Sequence, residues 1–191
     1  KKKALVVMCA DNGVVAEGVT QTGQEVTAIV AENFSRHETS ACLMAEVAGV
    51  DIYPVDIGMI TDVKNVTRKN EKTAYGTNNF AKEPAMTREQ LWQAIETGIR
   101  IAGEKKQEGY DILLTGEMGI GNTTTSSAMA AALLKKNEYQ IVVTGLTMDG
   151  YNGEQLISYI NRAHPNTVCI IYTTTISAAQ LHFFINKRDV F

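Results

Sequence analysis

The stretch GEMGIGNTTTSS at residues 116–127 has residue types and spacing suited to holding an anion. It nearly matches the loop G-x-x-x-x-G-K-[ST] that cradles nucleoside triphosphates, but Asn122 stands where that loop has its lysine. Glycines let the backbone come close to a ligand, and Asn122 is a favourable N-cap for a following helix. The free amides and the dipole at such a helix start attract an anion. Without the lysine, amides and hydroxyls suit a monophosphate better than a triphosphate.

The candidate phosphate-binding residues are therefore the glycines, the cap and the first hydroxyls of this stretch: Gly119, Gly121, Asn122, Thr123, Thr124 and Thr125. A dinucleotide-binding motif is disfavoured, because its third glycine is replaced by Thr124. A purely structural interpretation also stands, in which glycine ends a strand and Asn122 caps a helix without any ligand.

A second polar loop, ADNGVVAEGVTQTGQEVT at 10–27, follows the first apolar run of the chain. It combines carboxylate, amide and hydroxyl side chains with three glycines. Because it also follows a strand, we expect it at the same edge of the sheet as the glycine-rich loop. The alternative is a solvated surface loop.

Short apolar runs that alternate with helical patterns must position these loops. Strands are predicted at 4–10, 50–58, 110–116, 138–145 and 166–173, with Pro54 indicating an edge or an irregularity. One helix is predicted from Gln24, with Ile29 and Phe34 on one face, and another over 87–108, with Leu91 and Ile95 on one side. Further helices are predicted over 40–48, after Asn122, over 152–163 and over 176–186. Residues 61–86 are expected to be a long surface excursion. This alternation predicts a single α/β domain over 1–191, with a three-layer, mostly parallel, Rossmann-like sheet and helices on both faces.

Composition argues against several classes of function. The chain has 191 residues, a formal net charge of −3 and a pI of about 5.7, which does not favour nucleic-acid binding. Apolar runs are shorter than a membrane span requires. Cys9, Cys42 and Cys169 are far apart, which favours reduced thiols in the cytoplasm, and three isolated histidines make a metal site unexpected.

The two loops together closely resemble the nicotinate-nucleotide–dimethylbenzimidazole phosphoribosyltransferase family, and GTNNFAKEPAMTREQ at 76–90 is similar to a third family signature. The resemblance implies transfer of the ribosyl phosphate of nicotinate mononucleotide to 5,6-dimethylbenzimidazole or a related base, without a cofactor. It implies that the glycine-rich loop holds the 5′-phosphate, that Glu117 supports the reaction, and that Asp11, Thr20 and Gln24 line the base pocket. It also implies a homodimer.

Three departures from the family pattern stand out. Asn12 stands where the family usually has a histidine. The family segment that precedes the first strand is expected to be missing here. The family segment near the C-terminus, which carries the presumed catalytic glutamate, is also expected to be missing. Glu117 is expected to be charged, because it lies beside a helix start. A non-catalytic protein that binds a nucleotide or a benzimidazole is the alternative, and a kinase is disfavoured by Asn122.

Overall fold

A computed structural model of the chain describes residues 1–66, 68–136, 139, 141–145, 147–148 and 151–172. The chain divides into two compact units, Lys1–Asn122 and Thr123–Phe191. The strands and helices in chain order are β1 Lys3–Ala10, α1 Glu25–Ser35, α2 Ser40–Ala48, β2 Val50–Gly58, α3 Arg88–Gln107, β3 Ile112–Met118, α4 Asn122–Lys136, β4 Ile141–Gly145, β5 Thr147–Met148, β6 Tyr151–Asn152, α5 Gly153–Ala163 and β7 Val168–Tyr172. The helix predicted at 176–186 lies outside the described residues.

The first unit is built on a parallel three-stranded sheet with the order β2-β1-β3. Successive residues of β1 point to opposite faces, as the pleat requires. Val7 and Cys9 pack with Ala31 and Phe34 of α1 and with Cys42 of α2. Val6 packs on the other face with Ile101 of α3. The predicted α/β fold with a parallel sheet is confirmed, and in this unit helices cover both faces.

Pro54 lies on an edge strand of this sheet, as the sequence predicts. Val55 bridges Arg68 on the side of β2 away from β1, where the Asp56 amide donates to the Arg68 carbonyl at 3.1 Å. Alternate residues of a strand direct their backbone groups to the same side, so the missing N–H of Pro54 falls at this outer edge. The proline therefore removes no hydrogen bond between β1 and β2.

Two helices bury faces that differ from the predicted ones. In α1 the buried residues are Thr27, Ala28, Ala31 and Phe34, so Phe34 is buried as predicted, whereas Ile29 is 54% exposed. In α3 they are Thr97, Ile101 and Lys105, and Leu91 and Ile95 are exposed. Small side chains let α1 approach the sheet closely, so hydrophobicity alone misplaces its inner face. In α3 the buried stripe has the i, i+4, i+8 spacing of one helix face.

Lys105 can occupy that stripe because its charge has partners. Its ammonium donates to a carboxylate oxygen of Glu108 at 2.7 Å and lies 3.6 Å from the ring centroid of Tyr53. A buried cation is tolerated when an anion and an aromatic face replace water around it.

Among its described residues, the excursion between β2 and α3 contains a short 3-10 helix at Lys69–Glu71 and the bridge of Arg68 to Val55. It is not wholly a surface segment, because Val63 and Val66 are buried in the same cluster as Met59. The helix that follows begins at a capping box, in which the side chains of Thr87 and Gln90 each accept from the other residue's backbone amide, as the TREQ pattern predicts.

The second unit contains the parallel pair β4 and β7 and the two-residue antiparallel pair β5 and β6. Its apolar cluster joins Leu134 of α4, Ile157 and Ile160 of α5 and Cys169 of β7. The strands predicted at 138–145 and 166–173 and the helix at 152–163 correspond to β4, β7 and α5.

Candidate functional site

The glycine-rich loop is a tight connection at the carboxyl end of β3. Only Gly119, Ile120 and Gly121 separate β3 from α4, and the Asn122 amide donates to the Gly119 carbonyl at 3.0 Å. Gly121 has a φ of +85°, which disfavours any residue with a side chain. A Cβ on Gly119 would lie 2.2 Å from the carbonyl oxygen of Ala10. Both glycines are therefore required by the geometry of the loop.

The loop at 10–27 meets the glycine-rich loop at this edge, as predicted. The side-chain amide of Asn12 donates to the Ile120 carbonyl at 3.2 Å, although the residues are 108 positions apart in the chain. Gln24, the N-cap residue of α1, donates in turn to the Asn12 carbonyl at 3.0 Å. The structure thus brings the two candidate loops into direct contact.

Asp11 lies at the centre of the contacts of the first loop. The residue is 1% exposed, and its Oδ2 accepts from the Ile60 amide at 2.7 Å. Within the described part of the chain, its Oδ1 is buried and has no hydrogen-bond donor. Asp11 therefore supports the segment after β2 and retains one buried acceptor oxygen.

Thr20 is in the same loop but makes a local contact, since its hydroxyl donates to the Thr22 carbonyl at 2.7 Å. The candidate hydroxyls of Thr123, Thr124 and Thr125 lie in the first turn of α4 and belong to the second unit. The hydrogen bond from Asn12 to Ile120, which joins the two loops, lies within the first unit.

Glu117 accepts a hydrogen bond from the side-chain amide of Asn122 across the glycine-rich loop. The residue as a whole is exposed, but desolvation of its carboxyl raises its pKa above the ordinary value of 4.5, and the bond from Asn122 opposes this only in part. The expectation that the helix start would favour the charged form is therefore wrong. Desolvation of the carboxyl disfavours its charged form instead.

The third signature stretch lies against the first loop. The Gly13 amide donates to the hydroxyl of Thr77 at 3.0 Å, and the Thr77 amide donates to the Asp11 carbonyl at 3.0 Å. A Cβ on Gly13 would lie 2.4 Å from the Thr77 carbonyl oxygen, so this contact requires glycine. The resemblance indicated that the stretch was important, but residue patterns alone did not show that it touches Asp11.

An ion pair that sequence reasoning missed fastens the segment after β2. Asp56 is 1% exposed; one of its oxygens accepts from the Met59 amide at 2.9 Å, and the other lies 3.2 Å from the Lys72 ammonium. Lys72 also donates to the Met59 carbonyl at 2.7 Å. Burial opposes its charge, but the hydrogen bond to Asp62 and the charge of Asp56 outweigh burial and raise the pKa of Lys72. The sequence feature that could have indicated this ion pair is Asp56 itself, an aspartate near the carboxyl end of an apolar strand.

A cleft of about 650 Å³ lies elsewhere in the first unit, lined by His37 and by residues of α2 and the first half of β2, among them Cys42 and Tyr53. It opens beside the start of β2, whereas the contacts above lie at the strand's carboxyl end. Among the described residues, no group of three or more histidine, cysteine, aspartate or glutamate side chains is placed to hold a metal ion. In that same part of the chain, no helix is long and apolar enough to cross a membrane.

A parallel sheet with two contacting loops beyond its carboxyl edge defines an α/β protein of the class that binds ligands outside the strand ends. A family model described as phosphoribosyltransferase, DBI_PRT, matches residues 1–168. The chain therefore belongs to this family, and the resemblance noted from the sequence is confirmed.

Individual relatives support the same assignment. The nicotinate-nucleotide–dimethylbenzimidazole phosphoribosyltransferase of Clostridium tetani is 47% identical over 152 residues, which are 78% of this chain and 42% of that protein. The enzyme of the same name from Acetivibrio thermocellus is 42% identical over 162 residues, 85% of this chain and 46% of that protein. The crystal structure of CobT from Thermus thermophilus is similar with a TM-score of 0.67 and 38% identity, over 71% of this chain and 41% of that one. The chain thus spans less than half the length of these relatives.

Proposed function

We propose that the protein transfers the 5-phosphoribosyl group of nicotinate mononucleotide to 5,6-dimethylbenzimidazole or a related base. A ring nitrogen of the base attacks the anomeric carbon, and the bond to the pyridine nitrogen breaks with its electron pair left on nicotinate. The other nitrogen of the base loses its proton, and the product is α-ribazole 5′-phosphate. The observation that carries this proposal is the contact between Asn12 and Ile120, which joins the loop proposed to bind the base to the loop proposed to bind the phosphate.

The phosphate site is proposed at Gly119, Gly121 and Asn122, extended by the hydroxyls of Thr123, Thr124 and Thr125 at the start of α4. The support is a helix N-terminus that follows two glycines required by the backbone geometry. A single phosphate held by amides and hydroxyls needs no lysine. This explains why Asn122 can replace the lysine of a triphosphate loop.

The base pocket is proposed at Asp11, Thr20 and Gln24. Its support is the burial of Asp11 and the bond from Gln24 to the carbonyl of Asn12, the residue that contacts Ile120. Thr20 is included on the family resemblance of the loop. Glu117 takes a supporting role in this proposal. Its raised pKa makes its carboxylate a better proton acceptor than an ordinary glutamate.

The proposal also includes a single domain over 1–191, a homodimer and a cytoplasmic location, with neither a metal nor a cofactor required. The free, buried thiols of Cys9, Cys42 and Cys169 support a reducing compartment. The relatives described above carry the name of an enzyme, so they lend no support to a non-catalytic binding protein.

The test replaces Gly121 with valine, which clashes with a Val15 methyl at 2.9 Å and cannot easily adopt a φ of +85°. We expect affinity for nicotinate mononucleotide to fall by about tenfold or more, equivalent to losing one good hydrogen bond, with a much smaller change for dimethylbenzimidazole. Gly109→Val is the matched control, because Gly109 has the same φ and a Cβ there meets nothing within 4 Å. Equal losses for both ligands by calorimetry would contradict the phosphate assignment.

A further inference from the structure

We propose that Thr27 is a positioning residue for the glycine-rich loop, holding its central peptide in the conformation that receives the phosphate. The proposal rests on the proposed function of that loop. Thr27 belongs to α1, and its hydroxyl oxygen accepts from the Ile120 amide at 3.1 Å, 93 residues further along the chain. Asn12 donates to the carbonyl of the same residue at 3.2 Å. Ile120 is thus held at both its N–H and its C=O by side chains of another segment.

The loop needs such external support because of its own composition. Ile120 lies between Gly119 and Gly121, and glycine loses more conformational freedom on ordering than any other residue. Within the described residues, the backbone hydrogen bond that closes the loop runs from the Asn122 amide to the Gly119 carbonyl and does not involve Ile120. The side chains of Asn12 and Thr27 bind the backbone groups of Ile120 instead.

Burial makes these contacts firm. Thr27 is 0% exposed and Asn12 is 7% exposed, so water competes little for their hydrogen bonds. A hydroxyl buried inside a helix face destabilises a protein unless it is hydrogen-bonded, and within a helix its usual partner is the carbonyl four residues earlier. Here the Thr27 hydroxyl oxygen accepts from the Ile120 amide of another segment. A valine at this position would have the same shape but could not accept this hydrogen bond.

The same contacts connect the two proposed subsites. Gln24 donates to the Asn12 carbonyl, Asn12 donates to Ile120, and Thr27 accepts from Ile120. Gln24 and Thr27 lie at the start of α1, one turn apart, so that a single helix end orients both loops. Because Thr27 binds the glycine-rich loop itself, whereas Gln24 binds the first loop, weakening the bond at Thr27 should affect the phosphate subsite more than the base subsite.

The experiment compares Thr27→Val, which keeps the shape but removes the acceptor, with Thr27→Ser, which keeps the hydroxyl. Thr97→Val in α3 is the matched control, since Thr97 is also buried in a helix facing the sheet. We expect Thr27→Val to speed hydrogen exchange of the Ile120 amide by about tenfold and to weaken nicotinate mononucleotide binding by about tenfold, the effect of one buried hydrogen bond. Dimethylbenzimidazole affinity should change less, Thr27→Ser should retain most of both properties, and Thr97→Val should leave both unchanged.

Each other outcome has a defined meaning. Unchanged Ile120 exchange in Thr27→Val overturns the proposal, whatever the ligand affinities. Faster exchange with unchanged nicotinate mononucleotide affinity also overturns it, because the bond would then be structural only. If the unaltered chain does not bind nicotinate mononucleotide, the proposed function fails and so does the positioning role, while the exchange data still show whether the bond exists. If Thr27→Val does not fold, Thr27→Ala removes the same acceptor without placing a second methyl group there and is judged by the same two measurements.

Discussion

The carboxylate of Asp11 accepts a 2.7 Å hydrogen bond from the backbone amide of Ile60, and this bond joins the end of β1 to the segment that leaves β2. Asp11 is 1% exposed and Ile60 is 46% exposed, so the bond is shielded from water on the side of its acceptor. A residue proposed for the base pocket therefore also has a structural role. Its replacement should change stability as well as binding.

Asp11→Ala should lower the free energy of unfolding by about 1–3 kcal/mol, because the Ile60 amide loses its acceptor, a carboxylate that is itself buried. Urea denaturation of the full chain measures this. Asp111→Ala is the control, since Asp111 also accepts from a backbone amide, that of Lys2, but in an exposed position. We expect that change to stay within about 0.5 kcal/mol. An equal effect of the two substitutions would show that burial of the Asp11 contact is unimportant.

Lys72→Met should lower the free energy of unfolding by about 3 kcal/mol, because it leaves the buried carboxylate of Asp56 without its cation. The double variant Lys72→Met/Asp56→Asn should recover part of the loss, since it has no unpaired buried charge. Lys82→Met serves as the control, because its pair with Glu17 is largely exposed and contributes little. The prediction fails if the double variant is less stable than Lys72→Met alone.

Gly119→Ala and Gly98→Ala should have opposite effects on thermal stability. A methyl group at Gly119 would lie 2.2 Å from the Ala10 carbonyl oxygen, so the loop must shift and unfolding becomes easier. Gly98 lies inside α3 with nothing within 4 Å of its Cβ position, so alanine there should stabilise the protein by up to about 1 kcal/mol. Calorimetric unfolding measures both, and a stabilised Gly119→Ala variant would rule out the tight approach of the two loops.

The stability of the wild-type chain should fall, relative to Glu117→Gln, as pH rises from 4.5 through the raised pKa of Glu117. In that window the folded state holds a proton that the unfolded state has released, so raising the pH favours unfolding. Glu89→Gln is the control, because the pKa of Glu89 is shifted in the opposite direction. The Glu89 backbone amide and Thr87 lower the pKa of Glu89, so below pH 4.5 the wild type should gain stability relative to that variant as pH rises.

Urea denaturation at a series of pH values tests this pair of expectations. If the stability of the wild type instead rises with pH relative to Glu117→Gln, the fold favours the charged form of Glu117, as expected from the sequence. That result would also remove the reason for regarding its carboxylate as a strengthened proton acceptor.

Local patterns in the sequence determined the elements and the edge at which the two loops lie. Apolar runs of strand length, the TREQ capping box and the glycines around Ile120 each act over a few residues, so their effect is visible without the fold. The parallel arrangement follows from strand–helix alternation, and it places the ends of β1 and β3 together. The family assignment followed from the residues of those loops.

Only the tertiary structure decided which side chains meet across the chain. Thr27 contacts Ile120 and Lys72 contacts Asp56 because the sheet brings distant segments together, and no local period encodes such pairs. The buried faces of α1 and α3 depended on the fit of small residues against the sheet and on partners for Lys105, which hydrophobicity does not register. The direction in which the pKa of Glu117 is shifted depends on tertiary structure for the same physical reason, since desolvation depends on everything packed around the carboxyl and not on its neighbours in sequence.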